Sequence, residues 1–182
     1  MKYDDIIKNT FNETIVAMKH SSTKLQDDIS NVAEGIISTL KAGGKLMLCG
    51  CGGSAADAQH MAAELVVRFE KDREPCSAIA LSTDTSILTA VSNDYSFDKV
   101  YEKQVKALGK QGDILLAIST SGNSEAVLNA ALAASSKGIR VYSLLGKDGG
   151  KLKDISDLSI IVPFDITARV QEIHGVIIHI IC

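Results

Sequence analysis

A histidine and a glutamate four residues apart, His60 and Glu64, follow closely on a glycine loop, Gly50-Cys51-Gly52-Gly53-Ser54. On a helix that spacing stacks both side chains on one face, a single turn apart. A carboxylate can take a proton from carbon, an imidazole can pass one between oxygens, and the two together can hold a metal ion. The glycine loop offers a different chemistry. Glycines let the backbone turn tightly and present bare amides, and the start of the following helix favours negative charge. The stretch from Gly44 to Arg68 therefore combines an anion cradle with an acid/base or metal-ligating pair, and Ala55, Ala56, Ala62 and Ala63 leave room around them.

A second loop suited to an oxyanion is Ser119-Thr120-Ser121-Gly122-Asn123-Ser124, ahead of an alanine-rich helix predicted over 125–136. Capping that helix needs one hydroxyl, and four crowd six positions, so the surplus points to phosphate. The last helix, from Thr167 on, is largely apolar with Gln171, Glu172, His174 and His179 embedded in it. A single histidine on an apolar helix is ordinarily a satisfied core residue, and His174 is read that way. The apolar pattern runs to Cys182 with no stop signal, as in a helix that continues. Arg68, a turn beyond Glu64, is read as a contact to substrate or to Asp165, or as a structural residue.

The elements that must position these groups follow from periodicity. Ile6, Ile7, Phe11, Ile15 and Met18 predict an amphipathic helix over 4–19, and Leu25, Ile29, Val32, Ile36, Ile37 and Leu40 a second over 23–40, stopped by Gly43-Gly44. Short apolar runs at 46–49, 77–81, 113–118, 140–145 and 158–162 read as strands. Helices are expected at 87–91, capped from Ser82-Thr83-Asp84 and ended by Asn93-Asp94, and at 97–108. Strands that are continuous apolar runs, alternating with helices, imply a parallel five-stranded sheet covered on both faces, an α/β three-layer sandwich. Ligands bind such sheets beyond the strand C-terminal ends, where both loops emerge. The expected organisation is a single domain over 1–182, with helices in 1–42 packing between subunits and an α/β core in 44–182.

A chain of 182 residues, 46% apolar, is long enough for one well-filled core. A net charge of −3 and only 4% aromatic residues leave neither a basic field nor stacking platforms for nucleic acid. The start MKYDDIIKNT is not a signal peptide, and no apolar run reaches membrane-spanning length, so a cytoplasmic protein without a membrane partner is expected. The four cysteines, Cys49, Cys51, Cys76 and Cys182, read as reduced thiols rather than a disulfide framework, and Cys49-x-Cys51 is too close for a zinc knuckle.

Gly50-x-Gly52-x-x-Ala55 also fits a loose dinucleotide fingerprint. That reading wants an acidic residue ending the next strand, where this chain has Leu81-Ser82, and it leaves the hydroxyl loop unexplained. A sugar phosphate accounts for both loops, with Glu64 and histidines near its carbons.

The run GCGGSAADAQHMAAEL, the Asn93-Asp94 pair, the STSGNS loop and QEIHGVIIH together closely resemble the phosphoheptose isomerases of the sugar isomerase (SIS) domain family, over nearly the whole chain. STSGNS alone marks the wider SIS group; QHMAAEL with QEIHGVIIH points to this branch. The resemblance implies isomerisation of sedoheptulose 7-phosphate to D-glycero-D-manno-heptose 7-phosphate, on the way to bacterial surface heptose, by a homotetramer with sites at subunit interfaces. It implies Glu64 as the base and His179 as its partner acid. It also implies one zinc ion per subunit on His60, Glu64, Gln171 and His179. Substrate would be held by Cys51, Gly52, Gly53, Ser54, Glu64, Asn93, Asp94, Ser119, Thr120, Ser121, Ser124 and Gln171. Members usually carry Asn at the position of Cys51, and a thiol lacks the amide's paired donor and acceptor. Gln171 and His179 are separated by roughly 12 Å along one straight helix. For both to reach one ion, they should come from different subunits, or the helix should begin after Gln171. The alternative to an enzyme is a binding module, since some SIS relatives sense sugar phosphates or associate with the replication initiator without isomerase activity. The presence of both Glu64 and His179 favours the enzyme.

Overall fold

The computed structural model describes residues 2–182. Five strands, β1 (Leu46–Gly50), β2 (Ala78–Ala80), β3 (Ile114–Ser119), β4 (Arg140–Gly146) and β5 (Leu158–Val162), pair in parallel in the order β2-β1-β3-β4-β5. The order reverses between β1 and β3. The loops that leave these two strands diverge to opposite faces of the sheet and open a crevice between them, which is where α/β sheets take ligands.

Every residue of β1 and β3 is buried, so the alternating strand side chains feed two cores. Leu46, Leu48, Leu116 and Ile118 point to a layer formed by α1 (Asp4–Lys24), α2 (Gln26–Lys41), α3 (Gly53–Val66) and α8 (Thr167–Ile181). Met47, Cys49, Leu115 and Ala117 point to the other face, packed by α5 (Val100–Leu108), α6 (Glu125–Ser136) and α7 (Gly150–Ile155). The three-layer α/β sandwich expected from the sequence is the observed fold. Between β2 and α5 lie α4 (Thr85–Asp94) and a 3-10 turn, Phe97–Lys99. Asp84 caps α4, its Oδ1 accepting from Ile87 N at 3.0 Å.

Some boundaries differ from the sequence pattern for local reasons. α1 runs on to Lys24 because Ala17 and Ser21 bury against the domain, while Phe11 and Ile15 of the apolar stripe stay exposed. α7 leaves no mark in the sequence, since six residues with only Leu152 buried carry no periodicity. α8 is a single helix starting at Thr167, four residues before Gln171, so a helix beginning after Gln171 is ruled out. Arg169 ties α1 to α8: its guanidinium donates to Glu172 at 2.6 Å and Glu13 at 3.0 Å, and Thr14 Oγ1 donates to Glu172 at 2.8 Å. The outer face of α1 stays open, with Ile6 64% and Phe11 67% exposed. No helix among the described residues is long and apolar enough to cross a membrane.

Candidate active site

β1 ends at Gly50, whose carbonyl accepts a hydrogen bond from the buried Tyr101 hydroxyl at 2.6 Å. The chain then turns through Gly52, at φ +61°, into the start of α3. At Gly53 a Cβ would stand 2.4 Å from the Gln171 amide nitrogen, so the bare backbone is what lets the Gln171 side chain close onto this loop. Across the crevice the hydroxyl loop leaves β3 and packs on the loop after β4. Gly122 sits at φ +66°, and a Cβ there would meet the Gly149 carbonyl oxygen at 1.9 Å. The loop is braced from within: Ser119 Oγ accepts from Gly122 N at 3.1 Å and Ser121 Oγ from Asn123 N at 3.2 Å. Both serines therefore keep their own protons to donate.

Between the loops lies a cavity of about 340 Å³ walled by Cys51, Gly52, Gly53, Ser54, Ile118, Ser119, Thr120, Ser121, Ser124, Thr167 and Gln171. Neither α3 nor α6 has a side-chain cap at its N-terminus; backbone carbonyls take Ser54 N, Ala55 N and Val127 N, which leaves the amides of Gly53 on α3 and of Glu125 and Ala126 on α6 open. No lysine or arginine lines it. An anion here would be held by amides, hydroxyls and two helix dipoles, an arrangement suited to a phosphate group.

Seven residues along α3 from Gly53, two turns down the same face, stands His60. Its Nε2 lies 3.2 Å from Glu64 Oε1 and 3.3 Å from His179 Nε2. The two imidazoles meet edge to face, with centroids 4.9 Å apart. On its other side the His179 ring stacks on Phe69, at 5.1 Å and 18°. Cys182 closes the far side. Its thiol is pushed up to about 11 by burial first and then by the Glu64 carboxylate. Asp57 lies on α3 between the cavity and His60. Burial raises its carboxyl, the His60 charge acts in the opposite sense, and its Oδ2 has no hydrogen-bond partner.

The chain thus gathers the sequence-derived candidates into two groups joined by α3 and α8. One holds the loop residues and Gln171; the other holds His60, Glu64 and His179. Asn93 and Asp94 stand apart, exposed at the end of α4, where Asn93 Nδ2 donates to Asp94 Oδ1 at 2.9 Å. Arg68 lies beyond the end of α3 and is exposed. Four residues of the site escaped the sequence reading. Tyr101 and Thr167 carried no signal beyond ordinary helix patterning. Phe69 follows the break after Val66, where no spacing rule applies. Asp57 was detectable, being i−3 to His60 on the same helix face.

A metal ion is a fair test of the His60 group. Tetrahedral zinc with ligands at roughly 2.0–2.1 Å has donors about 3.3 Å from one another. The 3.2 and 3.3 Å separations around His60 Nε2 match two edges of such a tetrahedron. Among the described residues no three His, Cys, Asp or Glu side chains form a finished metal cluster, and Gln171 stands two turns away at the glycine loop. The donor types and the two edges fit zinc; closing the remaining edges needs side-chain adjustment or a further ligand.

The SIS domain family model matches residues 10–146, three quarters of the chain. The chain is a member of the SIS family. The match extends to near-complete relatives within that family. The phosphoheptose isomerase of Helicobacter pylori (strain P12) is 49% identical over 179 residues, covering 98% of this chain and 93% of the relative. Among solved structures, the phosphoheptose isomerase from Neisseria gonorrhoeae superposes with a TM-score of 0.93 at 44% identity, covering 98% of this chain and 95% of that one. The phosphoheptose isomerase from Francisella tularensis gives 0.96 at 39% identity, covering 100% and 97%. This SIS protein therefore belongs with the phosphoheptose isomerases.

Proposed function

We infer that this SIS protein is an aldose–ketose isomerase converting sedoheptulose 7-phosphate to D-glycero-D-manno-heptose 7-phosphate. The observation that carries the reading is identity of about half the residues with phosphoheptose isomerases along nearly the whole of both chains. The site's layout supports it: an anion cavity at one end and a carboxylate–imidazole cluster roughly 10 Å along α3 suit a substrate with phosphate and carbonyl at opposite ends of a seven-carbon chain.

In the proposed mechanism the amides and hydroxyls of the two loops take the phosphate. Gln171, held against Gly53, orients the sugar chain. The Glu64 carboxylate removes a proton from C1 and returns it to C2 through an enediol. His179 moves a proton from O1 to O2. His60, in contact with both, fixes their relative position, and the Phe69 ring holds the plane of His179. Zinc, held by His60, Glu64 and His179 with Gln171 as the fourth candidate ligand, would supply Lewis-acid polarisation of the carbonyl.

The same reading includes a homotetramer with sites shared between subunits, and the bare apolar face of α1 supports an assembly. Asn93 and Asp94 would then serve a site across an interface, and the Gln171 completing a zinc set with His60, Glu64 and His179 would come from a neighbouring subunit, since this chain's own Gln171 is held at Gly53. The four free cysteines agree with a reducing, cytoplasmic setting. The product would enter heptose synthesis for surface glycoconjugates such as lipopolysaccharide or capsule. The test is incubation of the purified protein with sedoheptulose 7-phosphate, with and without a chelator, following the aldose phosphate by NMR. Turnover is expected, abolished by the chelator and restored by zinc. Binding without turnover by the metal-loaded protein would refute the isomerase reading, and chelator-resistant turnover would refute the zinc.

A further inference from the structure

Ser124 occupies the N-cap position of α6, yet its hydroxyl makes no capping hydrogen bond. A serine there ordinarily accepts from the amide two or three residues on. Here Val127 N is taken by the Ser124 carbonyl at 3.1 Å, and the Ser124 hydroxyl turns the other way, onto Cys51 Sγ at 3.3 Å. The two residues are 73 apart in the chain and belong to the two different loops of the cavity. Their contact is the direct side-chain link between the glycine loop and the hydroxyl loop.

We propose that Cys51 is a positioning residue for phosphate binding: its thiol holds the Ser124 hydroxyl out of the capping geometry and so keeps the N-terminus of α6 open to the phosphate. The inference rests on the sugar-phosphate reading of the cavity. A thiol is a weak donor and a weak acceptor, so it competes poorly with a hydroxyl for the charged phosphate oxygens themselves. It is sufficient to orient a neighbour. With the thiol donating to Ser124 Oγ, the serine proton remains free for a phosphate oxygen, and the amides of Glu125 and Ala126 stay unblocked. Without the sulfur, the Ser124 hydroxyl turns back to cap its own helix. It then occupies an amide that the ligand needs and withdraws a donor as well.

The test is calorimetric binding of inorganic phosphate and of sedoheptulose 7-phosphate to the full chain, for the unaltered protein, Cys51→Ala, Cys51→Ser, Ser124→Ala and the Cys51→Ala/Ser124→Ala double variant. Cys51→Ala is expected to weaken both ligands by roughly three- to tenfold, the span of one net hydrogen bond. Cys51→Ser should recover most of that, because a hydroxyl can make the same contact to Ser124. The double variant should bind no more weakly than Ser124→Ala, since Cys51 acts through that side chain. In turnover the loss should appear in KM more than in kcat. Phosphate binding by Cys51→Ala at the strength of the unaltered protein would overturn the inference, as would simple additivity in the double variant. Failure of the unaltered protein to bind either ligand would remove the sugar-phosphate reading and this inference together.

Discussion

The Nε2 atoms of His60 and His179 face each other at 3.3 Å, although the residues lie 119 positions apart in the chain. Two imidazole nitrogens this close cannot both carry a proton on the facing atoms. Either one donates to the other, or a cation takes the space between them. Glu64, 3.2 Å from the same His60 nitrogen, makes the arrangement a three-membered unit.

Replacing Glu64 by Gln preserves shape but removes the carboxylate proposed as the base. The expected result is a kcat lower by roughly 10²–10⁴-fold with KM nearly unchanged, measured by steady-state kinetics on sedoheptulose 7-phosphate. Undiminished turnover would take Glu64 out of the chemistry.

Gly53→Ala tests the close approach of the Gln171 side chain to the glycine loop. The new methyl would sit 2.4 Å from Gln171 Nε2, the far end of a flexible side chain, so the protein should fold normally while Gln171 swings away. KM should rise by about tenfold, the loss of one polar contact to substrate, at an unchanged melting temperature. An unaltered KM would show that Gln171 does not touch substrate from this position.

His174 predicts a pH dependence of stability. It is fully buried, and its Nε2 donates to the Leu145 carbonyl at 3.0 Å. Burial pushes its imidazole down from 6.5 to about 4, with the Leu145 contact pulling the other way. Between those values the unfolded chain binds more protons than the folded one, so stability is full above about 6.5 and falls as pH drops toward 4. Urea midpoints across that window should decline for the unaltered protein and more shallowly for His174→Phe. Parallel slopes would contradict the assignment.

The parts of the site that could be read in advance are those whose signals are local. His60 and Glu64 share a helix face by spacing alone, and the glycine loop and the surplus of hydroxyls in 119–124 each lie within a few residues. The central strands β1 and β3 were legible because both faces of the sheet are buried there, which makes each a continuous apolar run. Contacts made by tertiary packing had no such signal. Tyr101 looks like any aromatic on an amphipathic helix until the fold brings its hydroxyl to Gly50. Phe69 sits in irregular chain after Val66 and finds His179 only because α8 returns alongside α3. Cys51 departs from its family's usual Asn in the sequence itself, and the structure adds its partner, Ser124.

α3 and α8 run side by side in the same direction, with Gly53 beside Gln171 at one level and His60 beside His179 two turns on. If substrate spans these two levels as proposed, its length would be gauged by helical rise rather than by a wall at the end of a pocket. A shorter ketose phosphate, gripped by its phosphate at the loops, would leave its carbonyl short of the carboxylate, so the enzyme would bind it and turn it over poorly. Selectivity for a seven-carbon sugar would then appear in the rate of reaction, with little trace in binding.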